Sequence, residues 1–223
     1  MPPSAPNATV YTARRLPPGP TLTLDGHGGD EAWQRAEVLT DFSFPWSTQS
    51  PPATAFRALW NERQLYFRFD ASDSDVVLAE GADAMAKVVG SDRVEIFFSS
   101  GPELNPYYGL ELDPRGEVLS YEARYHRQMN WDWTCPGLVV KTWQHPDGYV
   151  VEGSIPSETL RQLGCLHRDA EGDYLIAGLY RAEFSHSPAG GPVIENWMSW
   201  LDPQVEQPDF HVPGSFGTIR WSA

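Results

Sequence analysis

Ala55-Phe-Arg-Ala-Leu-Trp60 and Leu65-Tyr-Phe-Arg-Phe-Asp70 are two short runs rich in aromatic and apolar residues, separated by Asn61-Glu-Arg-Gln64. Two such runs around a short polar connection read as a β-hairpin, and its neighbours repeat the pattern. Downstream, strands are predicted at Arg93 to Ser99, Tyr107 to Leu112, Val118 to Tyr125, Leu138 to Thr142, Tyr149 to Ile155, Tyr174 to Phe184, Trp197 to Trp200 and Phe216 to Trp221. Turn sequences such as Asp113-Pro-Arg-Gly116 and His145-Pro-Asp-Gly148 punctuate them. Upstream, Leu22 to Gly26 reads as a strand, and Asp30 caps a short helix that carries Trp33. Pro156 to Leu163, with Gly164 as its stop, is the one further helix. About ten short strands without crossover helices predict an all-β fold, an antiparallel β-sandwich with one or two short helices. Residues 1–20 form a proline-rich arm and residues 21–223 a single domain, expected to act as a monomer.

Composition narrows the function. The 223 residues carry a net charge of −14, which repels phosphate backbones, and the 16 basic residues form no cluster, so nucleic acid is disfavoured as a partner. No apolar run approaches the length of a membrane span. Met1 to Pro20 has no apolar stretch of the kind a signal peptide needs, so the chain reads as cytoplasmic as it stands or as a trimmed secreted protein. Cys135 and Cys165 lie in no metal-ligand spacing, and whether they pair is left open. Fourteen of the basic residues are Arg, the side chain best suited to carboxylates and vicinal hydroxyls.

Sequence frames for nucleophilic hydrolysis and for phosphate or dinucleotide binding are missing, so no nucleotide cofactor is expected. Three chemistries stay open. Asp70, Asp73 and Asp75 place three carboxylates at a strand end, where they either gather Ca²⁺ or cap a solvated turn. Paired carboxylates, Glu95 with Glu111 or Glu183, would serve a glycosidase. His126 or His211 with Met129 offers axial ligands for a haem, without the spacing for covalent attachment. The strongest signal is aromatic: 9 Trp, 9 Tyr and 10 Phe, many at strand ends. Flat rings stack on the C–H faces of pyranoses while carboxylates and Arg satisfy hydroxyls. Trp33, Trp60, Trp200 and Trp221 fit core positions; Trp131, Trp133, Trp197 and Phe210 are candidates for a site.

Several stretches together resemble the family 9 carbohydrate-binding modules, a xylanase-associated β-sandwich within the wider DOMON-like group. They are Leu24-Asp25-Gly26 with Asp30-Glu31 and Trp33; Ala58 to Glu62 running into Leu65-Tyr66-Phe67; Ser91 to Phe97; Leu112-Asp113-Pro114 with Gly116; Gly148 to Glu152; Ser199 to Pro203; and Pro213 to Gly217. The resemblance implies a non-catalytic, jelly-roll-like module that binds xylan- or cellulose-type or other oligosaccharide ends in a slot between two tryptophans. One of these falls near Val89 and the other at Phe210, so one wall is lost and the other reduced. The family's acidic contact maps onto Glu95, its arginine onto Glu111, and its late polar pair onto Arg181 and Glu183. Its calcium sites favour the metal reading of Asp70, Asp73 and Asp75. The insertion Arg124 to Trp133 is expected to rebuild the lost wall, with Trp131 or Trp133 stacking and Arg124, Arg127 and Arg181 reading an acidic or heavily hydroxylated ligand.

Overall fold

A computed structural model describes residues 10–18 and 22–222. In chain order the strands are β1 (Val10–Arg15), β2 (Thr54–Trp60), β3 (Gln64–Ser72), β4 (Arg93–Ser99), β5 (Tyr107–Leu112), β6 (Val118–Arg124), β7 (Gln128–Asn130), β8 (Val139–His145), β9 (Gly148–Pro156), β10 (Leu166–Asp169), β11 (Gly172–Ser185), β12 (Ile194–Ser199) and β13 (Gly217–Ser222). Two α-helices, α1 (Ala84–Val89) and α2 (Ser157–Gln162), and two 3₁₀ turns at Glu31–Arg35 and Pro213–Ser215 complete the elements. The opening hairpin forms as predicted, Asn61 Oδ1 accepting the backbone N–H of Arg63 and of Gln64 to fix the turn.

The strands join in one curled sheet, in the order β7-β6-β5-β4-β11-β13-β1-β2-β3-β9-β8, with β10 and β12 added to β11. Phe56, Phe67 and Phe69 from one half face Val94, Ile96, Phe98, Leu110 and Leu179 from the other, and this apolar layer is the core. The all-β expectation holds, with one difference: the sheet is mixed. β1 runs parallel to both β13 and β2 and lies between them, so part of the proline-rich arm is built into the sheet. Its three-residue alternation was too short to read among the prolines. Helix α1 also escaped the sequence reading, because Asp73 to Asp92 shows no sustained apolar period; Asp83 caps it by accepting from the Ala86 N–H.

Leu22 to Asp25 is not a strand. Carboxylates instead satisfy the backbone here: Asp30 accepts from the Thr23 N–H, and Glu152 Oε2 from the Gly26 N–H at 2.8 Å. Glu152 Oε1 accepts from Trp33 Nε1 at 2.6 Å, locking the 3₁₀ turn onto β9. Gly26 has φ +88°, and a Cβ there would meet the Thr142 carbonyl oxygen at 2.6 Å, so glycine is required. Leu16, Leu22, Trp33 and Ala36 thereby cover the outer face of β2 and β3 through Leu59 and Tyr66.

Candidate functional site

Strand β4 is buried on both faces. Val94, Ile96 and Phe98 enter the core, while Arg93, Glu95 and Phe97 point to the opposite face, where a second aromatic cluster gathers Phe97, Tyr107, Tyr121, Tyr180 and Phe210. Beside that cluster lies a cavity of ≈ 340 Å³ lined by Val89, Arg93, Glu95, Arg127, Trp197, Pro208, Asp209, Phe210 and His211. A wider groove of ≈ 660 Å³, between Leu16 to Pro18, Leu22 and the first 3₁₀ turn, brings together no buried charged group among the described residues.

The floor of the smaller cavity is an arginine between two acids. Arg93 Nε lies 3.0 Å from Glu95 Oε1 and 2.7 Å from Glu111 Oε2, yet no hydrogen bond of good angle forms at these atoms. The attraction is therefore mainly charge against charge, strengthened by burial. Arg93 Nη1 donates to the carbonyls of Val89 at 3.1 Å and Ser91 at 3.3 Å, so the end of α1 sets the guanidinium over the cavity. Trp197 and Phe184 flank it at 5.4 and 5.8 Å from their ring centroids. Tyr121 donates to Glu111 Oε1. Burial pushes the Glu95 carboxyl up to about 8, helped by Glu111 and opposed by Arg93.

The walls are aromatic and tightly held. Phe210 stacks on Tyr180, centroids 4.2 Å apart at 11°, and meets Trp197 edge-on at 6.0 Å. Tyr180 is anchored in turn by Ser215 and the Phe210 carbonyl. His211 shares a hydrogen bond between Nδ1 and the Tyr107 hydroxyl at 2.8 Å, and burial drives its pKa down to about 3, so the ring is neutral. At the rim Asp209 accepts from Arg127 at 2.9 Å and holds His126 Nε2 at 2.6 Å. Arg127 adopts φ 57°, which turns it back over the opening.

Of the residues predicted for the site, Glu95, Arg127, Trp197 and Phe210 line the cavity, with Glu111 directly beneath it; Val89 lines it as well. Arg181 and Glu183 do not. Tyr180 and Ala182 pair with Glu95 and Arg93, so alternation along β11 sends Arg181 and Glu183 to the opposite face. Glu183 therefore cannot partner Glu95 as an acid–base pair, and Glu111 supports the same guanidinium as Glu95 instead of facing it across a cleft. Trp133 packs on Tyr108 at 4.9 Å against the core, whereas Trp131 meets Tyr121 at 5.0 Å, largely exposed and outside the cavity lining. The insertion thus contributes Arg127, not an aromatic wall. Arg124 donates to Asn105 away from the cavity. Sequence reading missed Arg93, Asp209 and Pro208. Arg93 stands two residues before Glu95 on a strand, and that spacing was the available signal.

The acidic turn divides three ways. Asp70 pairs with Arg57 and Arg68, and Asp75 with His186. Asp73 instead approaches Asp92 and Glu183, with ligand atoms within 4.8 Å of one another. The expected trio is therefore not a single site. Among the residues that do converge, Arg181 is already present, contacting Asp73 at 3.2 Å, Glu183, and the Ser72 carbonyl at 3.0 Å. A guanidinium occupies the place of a cation, so this cluster fits a bound metal poorly. For a haem, His126 and His211 are already engaged by Asp209 and Tyr107. Cys135 and Cys165 are free thiols, which burial pushes up to about 12.

Fold and cavity together define a β-sandwich with a recessed, polar-floored and aromatic-walled cavity. Residues 24–222 match the family model described as carbohydrate family 9 binding domain-like, and the chain belongs to that family. Three solved structures share its fold. One is a proposed carbohydrate-binding protein of Bacteroides uniformis, with TM-score 0.71 and 17% identity over 96% of this chain and 100% of the other. The others are a family 9 carbohydrate-binding module of Caldicellulosiruptor kristjanssonii in complex with glucose (TM-score 0.59, 18% identity, covering 96% of each chain) and with cellotriose (0.60, 16%, covering 96% and 93%). No curated protein matches. Modules of this family are non-catalytic binding domains, and carbohydrate binding is the general function that the family assigns.

Proposed function

We propose that the cavity over Arg93 and Glu95 binds the terminal sugar of an oligosaccharide without catalysing its cleavage. The observation that carries this reading is the juxtaposition, in one ≈ 340 Å³ recess, of aromatic walls and a buried charged floor. Trp197 and Phe210 offer apolar surface to a ring's C–H groups; Arg93 donates to hydroxyls, and Glu95 receives or donates according to its protonation. With Val89 on the wall where a ring would complete a sandwich, stacking is one-sided, and the polar floor carries more of the selectivity.

The neighbours with bound glucose and cellotriose make those two sugars the first ligands to test. Calorimetric titration of the full chain is expected to show one saturable site for cellotriose. Trp197→Ala should weaken it about tenfold, the scale of a stacking contact of 1–3 kcal/mol. Binding unaffected by Trp197→Ala would remove the site from this cavity. Release of reducing ends from cellotriose would overturn the non-catalytic reading.

A further inference from the structure

The charges at this cavity do not balance. On the floor, one guanidinium, Arg93, faces two carboxylates, Glu95 and Glu111, and all three side chains are at least nine-tenths buried. Tyr121 contributes only a neutral hydroxyl. At the rim, Arg127 is matched by Asp209, with His126 beside it, and His211 is neutral. Among the described residues Glu95 Oε1 is buried with no hydrogen-bond partner of good geometry, and the side chain, only 3% exposed, lines the cavity. Buried carboxylate oxygens ordinarily have partners, and an unpaired buried negative charge is costly. The recess therefore lacks one positive donor at a defined place.

We propose that this donor is supplied by the ligand, and that the site selects a sugar bearing a primary amine over its neutral or acidic counterparts. The inference rests on the carbohydrate-binding reading above and narrows it to amino sugars. An ammonium beside the Glu95 carboxylate completes the charge count and gains a charge-assisted hydrogen bond. A uronic acid would bring a third carboxylate to the floor and be refused. With no ligand, a proton takes the ammonium's place on Glu95, whose carboxyl is pushed up to about 8 by burial. Amino-sugar binding near pH 7 then releases that proton to the buffer.

The test titrates the full chain at pH 7 with glucose, 2-amino-2-deoxyglucose, 6-amino-6-deoxyglucose, N-acetylglucosamine and glucuronic acid, in two buffers of different ionisation enthalpy. At least one amine should bind about tenfold tighter than glucose, the scale of a charged hydrogen bond. N-acetylglucosamine should lose that gain, glucuronic acid should bind most weakly, and the amine's heat should differ between buffers by the released proton. Glu95→Gln should bring the amine-to-glucose ratio close to one. Should that variant fail to fold, the two-buffer heats of the unaltered chain decide. Amines and glucose binding alike, or glucuronic acid binding best, would overturn this inference and leave sugar binding standing. Absence of binding by all five and by cellotriose would overturn both.

Discussion

Two arginine–carboxylate clusters lie one residue apart in register and on opposite faces of the same strands. Arg93 pairs with Ala182 and Arg181 with Val94 across β4 and β11. Arg93 opens onto the cavity with Glu95 and Glu111. Arg181 is fully buried, donating to Thr54 Oγ1 at 3.0 Å, to Ser72, Asp73 and Glu183, and lying 5.4 Å from the Tyr149 ring. The ingredients are alike, but their uses differ. The Arg181 cluster has most of its oxygens satisfied from within: Asp92 accepts the Val77 N–H at 2.5 Å and the Phe184 N–H at 2.6 Å. The Arg93 cluster leaves an oxygen free beside a void. The first ties β3, β4 and β11 together, and the second is the floor we propose for the ligand. Strand parity separates a brace from the floor of the cavity.

The comparison is broken most severely at the brace. Arg181→Met is expected to destabilise the fold by about 3–5 kcal/mol, because it strands Asp73, Glu183 and Asp92 without a cation. Urea unfolding measures this, and a loss under 1 kcal/mol would mean the cluster is not structural. Arg93→Met should cost less, about 1–2 kcal/mol, since Glu95 then keeps its proton and is left neutral at the cavity, while cellotriose binding falls below detection. Equal destabilisation by the two variants would erase the distinction.

Acidity sharpens it further. Desolvation raises Asp92 to about 7, and Glu95 and Glu183 to about 8. These groups keep protons in the folded state that the unfolded chain releases above its ordinary carboxylate range, so stability declines as pH rises toward 8. His211, lowered to about 3, acts in the opposite sense between pH 3 and 6.5, so the decline should be clearest from pH 6.5 to 8.5. A urea midpoint that rose over that interval would contradict the burial of these acids. Glu183→Gln and Glu95→Gln should each flatten the slope. The smallest effect concerns cations: with Arg181 amid Asp73, Asp92 and Glu183, millimolar Ca²⁺ or EDTA should leave the melting temperature unchanged. A stabilisation of several degrees by Ca²⁺ would restore the metal reading.

The contrast also explains what could be read from the amino-acid order. Strands were legible because β-rich runs alternate with turn chemistry, and Glu95 and Phe210 were placed at the cavity through the family resemblance. The side of β11 was not legible. Tyr180-Arg-Ala-Glu-Phe184 alternates apolar and polar residues, the pattern of a half-exposed strand whose charged side chains face out toward a ligand. Here both faces of β11 are covered, so alternation fixes the period but not which face is which. Tryptophans Trp131 and Trp133 were equivalent in sequence for a related reason: two residues' separation suggests a shared face, yet they leave β7 in irregular chain and diverge. His211 and Asp209 carry no local pattern, and long-range packing alone brings them to Tyr107 and His126.

The position of β1 bears on how the molecule can be cut. It is held by β13 along five residue pairs and by β2 along two, and its Leu16 N–H donates to Trp60 just beyond. A fragment starting at residue 24, where the family match begins, would retain every residue of the cavity and still leave β13 and β2 with unpaired backbone. Two raw strand edges on one sandwich are templates for intermolecular pairing. Such a fragment should be prone to self-association, and a peptide copying Val10–Arg15 should compete with that association by adding the missing strand in trans.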